Sequence, residues 1–228
     1  MSDSYTGVDN LEVMQEAKNY NRYLLNTLLK FHRGAARTLD FGAGSGQFVI
    51  PMAEKVPSIV ALEPDAMLRD IIRSKGIRAV SGVDEIPDQS LEYIYSLNVL
   101  EHIQDDAAAL RDLHTKLAPQ GTLLIYVPAF PVLYSSMDAK VGHIRRYTRA
   151  TLESVVVAAG FRVRHAAYVD SLGYLATLLF KLIGNSDGTV NMTALKLYDR
   201  LAFPISRFLD LFTSRLLGKN LLLVAQRQ

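Results

Sequence analysis

Between residues 11 and 31 apolar positions return at helical spacing, at Leu11, Met14, Tyr20, Leu24 and Leu28, which predicts an amphipathic helix. The period then changes. Residues 38–41 form a short strand-like run ending in glycines, and residues 47–53 begin a helix, so the pattern reads strand, glycine turn, helix. Further strands are expected at 58–62, 78–80, 93–96 and 122–127, with helices at 66–74 and 105–117 between them. Strands alternating with helices imply a parallel sheet covered on both faces.

Beyond the fifth strand the pattern loosens. Residues 128–147 read as a loop, long for a connection in a compact domain and therefore a candidate for function. Thr148 is placed to cap a helix running to Ala159, Gly160 to stop it, and a sixth strand is expected at 161–165. Residues 172–217 read as helical, interrupted at 184–188 and at Pro204, before a last apolar strand at 220–225. The expectation is one α/β domain over residues 1–228: a doubly wound, mostly parallel, seven-stranded sheet with a helical insertion at about 170–218 before the last strand.

Composition narrows the chemistry. Hydrophobic residues at 49% and charged residues at 21% fit a globular protein and exclude a disordered or collagen-like chain. With no cysteine, disulfides, thiolate catalysis and cysteine metal sites are impossible. Without a secretory leader pattern or an apolar run of about 20 residues, the expectation is a cytoplasmic protein. Net charge is +2, and the stretch from residue 169 to 228 carries seven Lys/Arg against four Asp. That mild excess falls short of the clustered cations a nucleic-acid binder needs, so no nucleic-acid partner is expected. The sequence shows no dense His/carboxylate cluster, and no metal is expected.

The strongest chemical signal is Leu39-Asp40-Phe41-Gly42-Ala43-Gly44-Ser45-Gly46 at the strand-to-helix turn. Glycines let the backbone turn sharply and approach a ligand, and the helix that follows offers free N–H groups, so a nucleotide-like ligand fits there. The dinucleotide fingerprint wants glycine at position 47, which is Gln47, so the spacing disfavours NAD. Glu63 ends the second strand, where a carboxylate can accept both hydroxyls of a ribose.

In order, the Asp-x-Gly-x-Gly-x-Gly run, Glu63, and Ser96-Leu97-Asn98-Val99-Leu100-Glu101-His102-Ile103 resemble the motifs of class I S-adenosylmethionine-dependent methyltransferases, a Rossmann-like fold. The resemblance covers about residues 20–161. It implies S-adenosyl-L-methionine as cofactor, with Asp40, Gly42, Gly44 and Gly46 around the methionine portion, Glu63 on the ribose and Met67 against the adenine. It also brings Asn98 into the cofactor set. The family commonly places a polar residue near the adenine amino group; here Gly82 and Val83 stand there, implying backbone contact, with Asp84 left open.

The run Gly142-His143-Ile144-Arg145-Arg146-Tyr147-Thr148 is similar to a type 11/12-like subgroup of these enzymes, often found near glycan and lipid biosynthesis. Such a loop would lie beyond the carboxyl ends of the strands, facing the acceptor. His143 is suited to take a proton there, and the two arginines to grip a carboxylate or phosphate; the alternative is that the arginines pair with local acids and His143 caps a turn. The candidate catalytic set is His143, Arg145, Tyr147 and His102, the last either a base or a packing residue.

The segment from residue 172 to 183 is apolar nearly all round, and Leu197, Leu201, Ile205, Phe208 and Leu211 continue an apolar stripe flanked by Lys196, Arg200, Arg207 and Arg215. It suits burial, a homodimer interface, a lid over a lipid-like acceptor or a peripheral membrane contact. The expected function is methyl transfer to a small or lipid-like acceptor. Its rivals are an NAD(P)-dependent oxidoreductase and a non-catalytic methyltransferase-like module for membrane or protein association.

Overall fold

The computed structural model describes residues 15–183 and 191–228. Leu11 and Met14, and the interruption expected at 184–188, lie outside the described residues. In chain order the elements are α1 (Lys18–His32), β1 (Thr38–Phe41), α2 (Val49–Ala53), β2 (Ile59–Leu62), α3 (Ala66–Ser74), β3 (Arg78–Val80), β4 (Leu91–Leu97), α4 (Asp106–Lys116) and β5 (Leu117–Pro128). They continue with α5 (Ser136–Lys140), α6 (Arg149–Ala158), β6 (Phe161–Val169), α7 (Ser171–Ile183), α8 (Met192–Leu197), α9 (Phe203–Thr213) and β7 (Asn220–Arg227).

The seven strands form one sheet in the order β3-β2-β1-β4-β5-β7-β6, parallel except for β7, which runs antiparallel to β5 and β6. Strand order reverses between β1 and β4, which pair directly through Leu39 and Ile94. In open α/β sheets the ligand crevice forms outside the carboxyl ends of the strands at such a reversal. The core lies on both faces. Along β4, Tyr93 and Tyr95 join Leu24, Leu28, Met52 and Ile72 on one side, while Ile94 joins Leu110, Leu113, Leu152 and Val156 on the other. Two-sided burial explains why the strands read as nearly continuous apolar runs.

Three features differ from the sequence reading. Residues 128–147 are largely ordered: Ala129 bridges to Tyr147, a short turn forms at Pro131–Leu133, and α5 follows. The amide of Ser135 donates to the Asp138 carboxylate at 2.9 Å, which caps that short helix. Pro204 does not interrupt the helical path, because a π-helical turn at Tyr198–Ala202 precedes it and places the proline in the first turn of α9, where no N–H is needed. β5 begins at Leu117 rather than near Thr122, since Leu117 already pairs with Leu91.

The helical insertion is fastened to the sheet domain by buried carboxylates. Asp199 accepts the amides of Asn19 and Tyr20, each at 2.9 Å, and so caps α1, which has no side-chain cap of its own. Phe203 sets its ring edge-on to Tyr20 and Tyr23, and Arg207 lies 4.0 Å over the Tyr23 ring. Asp210 accepts the amides of Asp170 and Ser171 at 2.8 and 2.9 Å, which closes the turn into α7. Near the loop after β5, Lys181 donates to the Val132 carbonyl at 2.7 Å.

Candidate active site

The glycine turn joins β1 to α2 with positive φ at Gly42, Gly44 and Gly46. At Gly42 the lack of a side chain is also steric: a Cβ would stand 2.4 Å from Val99 Cγ2, so the end of β4 packs directly on the turn. The amides of Gly42 and Ala43 donate to the Leu62 carbonyl, and the Gly44 amide donates to Glu63 Oε2 at 2.7 Å. Glu63 Oε1 accepts from the Asp65 amide at 2.9 Å. Its carboxylate therefore braces both the turn and its own loop. Burial pushes the Glu63 carboxyl up, partly offset by those two amides. A carboxylate has about four lone-pair positions, so capacity remains for the two hydroxyls of a ribose.

Asp40 is buried at the end of β1, and burial pushes its carboxyl up to about 8, the Tyr95 hydroxyl working against the shift and the Glu63 charge adding to it. An acid poised in this way is stabilised in its charged form by a cationic ligand. Met67 stands 79% exposed on α3. The adenine side differs in detail: Glu85 accepts from Ser81 and, at 3.3 Å, from the Gly82 amide, so Gly82 is already committed. Asp84 folds against Gly82, where a Cβ would meet its Oδ1 at 2.3 Å. Asn98 adopts φ 54° as the chain leaves β4, a conformation its short side chain tolerates, and its amide donates to the Tyr126 carbonyl at 2.8 Å.

Beyond Asn98 the chain enters the turn Leu100–His102 and meets the loop after β5. His143 Nδ1 lies 2.7 Å from Asp138 Oδ1. Arg146 grips the same carboxylate with both Nε and Nη2, at 2.8 and 3.0 Å, and donates to the Ala129 carbonyl at 3.1 Å. Burial pushes the Asp138 carboxyl up, but the bonds from His143 and Arg146 outweigh it and hold the group at about 2. A permanently charged Asp138 fixes the Nδ1–H tautomer and turns His143 Nε2 toward Glu101, whose Oε1 is 3.7 Å away. The Tyr134 hydroxyl donates to the His143 carbonyl at 2.7 Å.

Glu101 is fully buried, with no hydrogen-bond partner on either carboxylate oxygen. Burial pushes its carboxyl up to about 8. His102 packs edge-on to His143 at 4.8 Å between ring centres, with Nδ1 3.2 Å from the Gly142 carbonyl. Burial first, then the neighbouring His143 imidazole, brings His102 down to about 4, so it is neutral at physiological pH.

Of the two readings of the arginines, the geometry shows the pairing with local acids. Arg146 is buried on Asp138, and Arg145 pairs with Asp106 at 2.9 Å and donates to the Gln104 carbonyl at 2.7 Å. The buried Tyr147 hydroxyl donates to Asp106 at 2.6 Å, so Arg145 and Tyr147 together tie the loop to the start of α4. The expectation of no dense His/carboxylate cluster is corrected: Glu101, His102 and His143 each bring a ligand atom within 4.8 Å of the others. The sequence reading missed Glu101 and Asp138. A Glu-His pair directly after strand four, and an acid five residues before the loop histidine, were the available signals.

A glycine turn braced by a buried carboxylate, beside the strand-order reversal of a seven-stranded sheet with β7 antiparallel, is the arrangement of the class I S-adenosylmethionine-dependent methyltransferase fold. Sequence comparison agrees: a family model described as a methyltransferase domain matches residues 14–166, and the chain belongs to that family. The chain is 26% identical over 150 residues to a Mycolicibacterium smegmatis protein described as a probable S-adenosylmethionine-dependent methyltransferase, covering 62% of this chain and 56% of that one. It is 28% identical over 189 residues to a methyltransferase of Claviceps purpurea, covering 79% of this chain and 54% of that one. It thus spans about half the length of the curated relatives it matches. Among solved structures, a SAM-dependent methyltransferase from Thermotoga maritima shares the fold with a TM-score of 0.67 at 13% identity, covering 96% of this chain and 95% of that one.

Proposed function

We propose that the chain transfers a methyl group from S-adenosylmethionine to a small or lipid-like acceptor held at the Glu101–His102–His143 pole. The observation that carries this reading is the adjacency of two half-sites: Val99 packs on Gly42, and two residues further on Glu101 opens the pole. S-adenosylmethionine supplies an activated methyl on a sulfonium and leaves as S-adenosylhomocysteine. The 42–46 turn lies around the methionine portion, Glu63 holds the ribose, Asp40 faces the cationic end, and Met67 covers the base. Asp138, clamped by Arg146, fixes His143, and the acceptor's proton is lost at the pole. Alignment and water exclusion supply most of the acceleration.

The test is calorimetry with S-adenosylhomocysteine followed by turnover assays. His143→Ala should leave cofactor affinity intact and lower turnover by about 10²–10⁴. Full turnover in that variant would remove His143 from the chemistry, and failure of the unaltered chain to bind the product would remove the reading. NAD binding in its place would favour the oxidoreductase, and tight cofactor binding without turnover on any acceptor the non-catalytic module.

A specific observation favours a lipid-like acceptor and a peripheral membrane contact. Leu175, Leu179 and Leu182 on α7, Leu201 on the π-helical turn, and Ile205, Phe208 and Phe212 on α9 are each more than half exposed, with Arg200, Arg207 and Arg215 nearby in the sequence. Among the described residues no helix is long and apolar enough to cross a membrane. We propose that this face rests on an anionic lipid surface and guards the acceptor entrance. Liposome flotation should recover the chain with anionic vesicles at low salt. A stable dimer that stays off such vesicles would assign the face to subunit packing.

A further inference from the structure

We propose that Glu101, His102 and His143 form a binding site for one divalent transition-metal cation, of the Zn²⁺ kind, on the acceptor side of the cofactor turn. The first argument is the carboxylate. Glu101 has no exposed surface, and neither of its oxygens accepts a hydrogen bond, although a buried carboxylate needs a counter-charge or a full set of donors. Arg146, the cation whose charge acts on Glu101, gives its hydrogen bonds to Asp138 and the Ala129 carbonyl instead. A cation between Glu101 and His143 supplies the missing partner.

The second argument is the way both imidazoles are held. A metal-binding histidine almost always donates its other ring N–H to a carboxylate or a backbone carbonyl, which sets the tautomer and the ring plane. His143 does this with Asp138 at 2.7 Å and His102 with the Gly142 carbonyl at 3.2 Å. Asp138 is fixed in turn by Arg146 and the Ser135 amide, so the support extends one shell outward.

The third argument is distance. Ligands about 2.0–2.2 Å from a zinc ion lie roughly 3–4 Å from one another. His143 Nε2 and Glu101 Oε1 are 3.7 Å apart, and the three ligand atoms lie within 4.8 Å of one another. Two imidazoles and one carboxylate suit zinc and its neighbours better than magnesium or calcium, which prefer all-oxygen ligands. Three protein ligands leave a position open. An acceptor oxygen bound there would have its pKa lowered and would release its proton to solvent.

The placement beside the methyl donor rests on the proposed function; the cation site itself does not. The test is Zn²⁺ titration of the full chain after chelator treatment, by calorimetry, with Mg²⁺ as comparator and Co²⁺ absorption as a spectroscopic readout. One equivalent should bind, and Glu101→Gln and His143→Asn should each weaken it at least tenfold and abolish the Co²⁺ ligand-field bands. Both variants should still bind S-adenosylhomocysteine, which reports that they are folded. Equal Zn²⁺ affinity in the unaltered chain and the variants would overturn the proposal, as would no Zn²⁺ binding at all. Either result would leave the methyltransferase reading standing, whereas loss of product binding in the unaltered chain would remove that reading without touching the cation site.

Discussion

Replacing Glu63 by alanine should separate its two tasks. In the free protein its carboxylate accepts the Gly44 and Asp65 amides at 2.7 and 2.9 Å, and in the complex it is assigned both ribose hydroxyls. A hydrogen bond to a charged group contributes about 1.5–3 kcal/mol, so two lost ribose bonds cost about 3 kcal/mol at the lower end. That corresponds to roughly a hundredfold weaker binding. Because Glu63 is only 8% exposed, little of this is screened, although water entering the vacated space will recover a part and leaves tenfold as the floor. Glu63→Gln keeps an acceptor oxygen and the shape, and should lose less than alanine. The assay is calorimetry with S-adenosylhomocysteine, with a thermal melt to confirm folding. A folded Glu63→Ala protein with unchanged affinity would show that the ribose does not bind there.

Other outcomes follow from the same geometry. Asp199→Ala removes the acceptor of the Asn19 and Tyr20 amides and should cost about 0.5–2 kcal/mol, lowering the melting temperature by a few degrees; an unchanged melt would show that the cap is idle. Gly42→Ala places a methyl 2.4 Å from Val99 at φ 81° and should destabilise the fold by at least about 1–2 kcal/mol from backbone strain alone; Val99→Ala added to it should restore the steric part but not the strain, as measured by denaturant unfolding. Asp40, raised to about 8, is protonated at neutral pH in the free protein, and a cationic ligand favours its ionised form. Binding of S-adenosylmethionine should therefore release a proton and tighten as pH rises toward about 8; calorimetry in buffers of different ionisation enthalpy should show less release from Asp40→Asn. Equal release from both would place the proton elsewhere.

Local signals made the first half of the sheet legible. The switch from helical to strand period before the glycine run located β1, and α3 and β3 fell at the bounds that their apolar spacing and flanking turns set. That the 42–46 turn and Glu63 are neighbours was readable for the same reason, since both lie within one βαβ unit. The cluster of Glu101, His102 and His143 was not. Glu101 and His143 meet only when the end of β4 and the loop after β5 lie side by side, and no single-chain periodicity reports that contact. Arg146 looked like an anion grip because burial is invisible in a short polar run, whereas folding spends it on Asp138 eight residues earlier. Asp199 capping α1 across 180 positions is likewise a tertiary fact. Pro204 carried its usual meaning as a breaker, and the π-helical turn before it absorbed the missing N–H.

The most direct measurement is a crystal structure of the chain with S-adenosylhomocysteine. The account predicts the ribose hydroxyls on the Glu63 carboxylate, the adenine against Met67, and the thioether sulfur facing the pole of Glu101, His102 and His143. An acceptor atom at that pole would then stand within a near-attack distance of about 3–3.5 Å from the transferred methyl. A product molecule bound away from the 42–46 turn, or with its sulfur turned from Glu101 and His143, would contradict it.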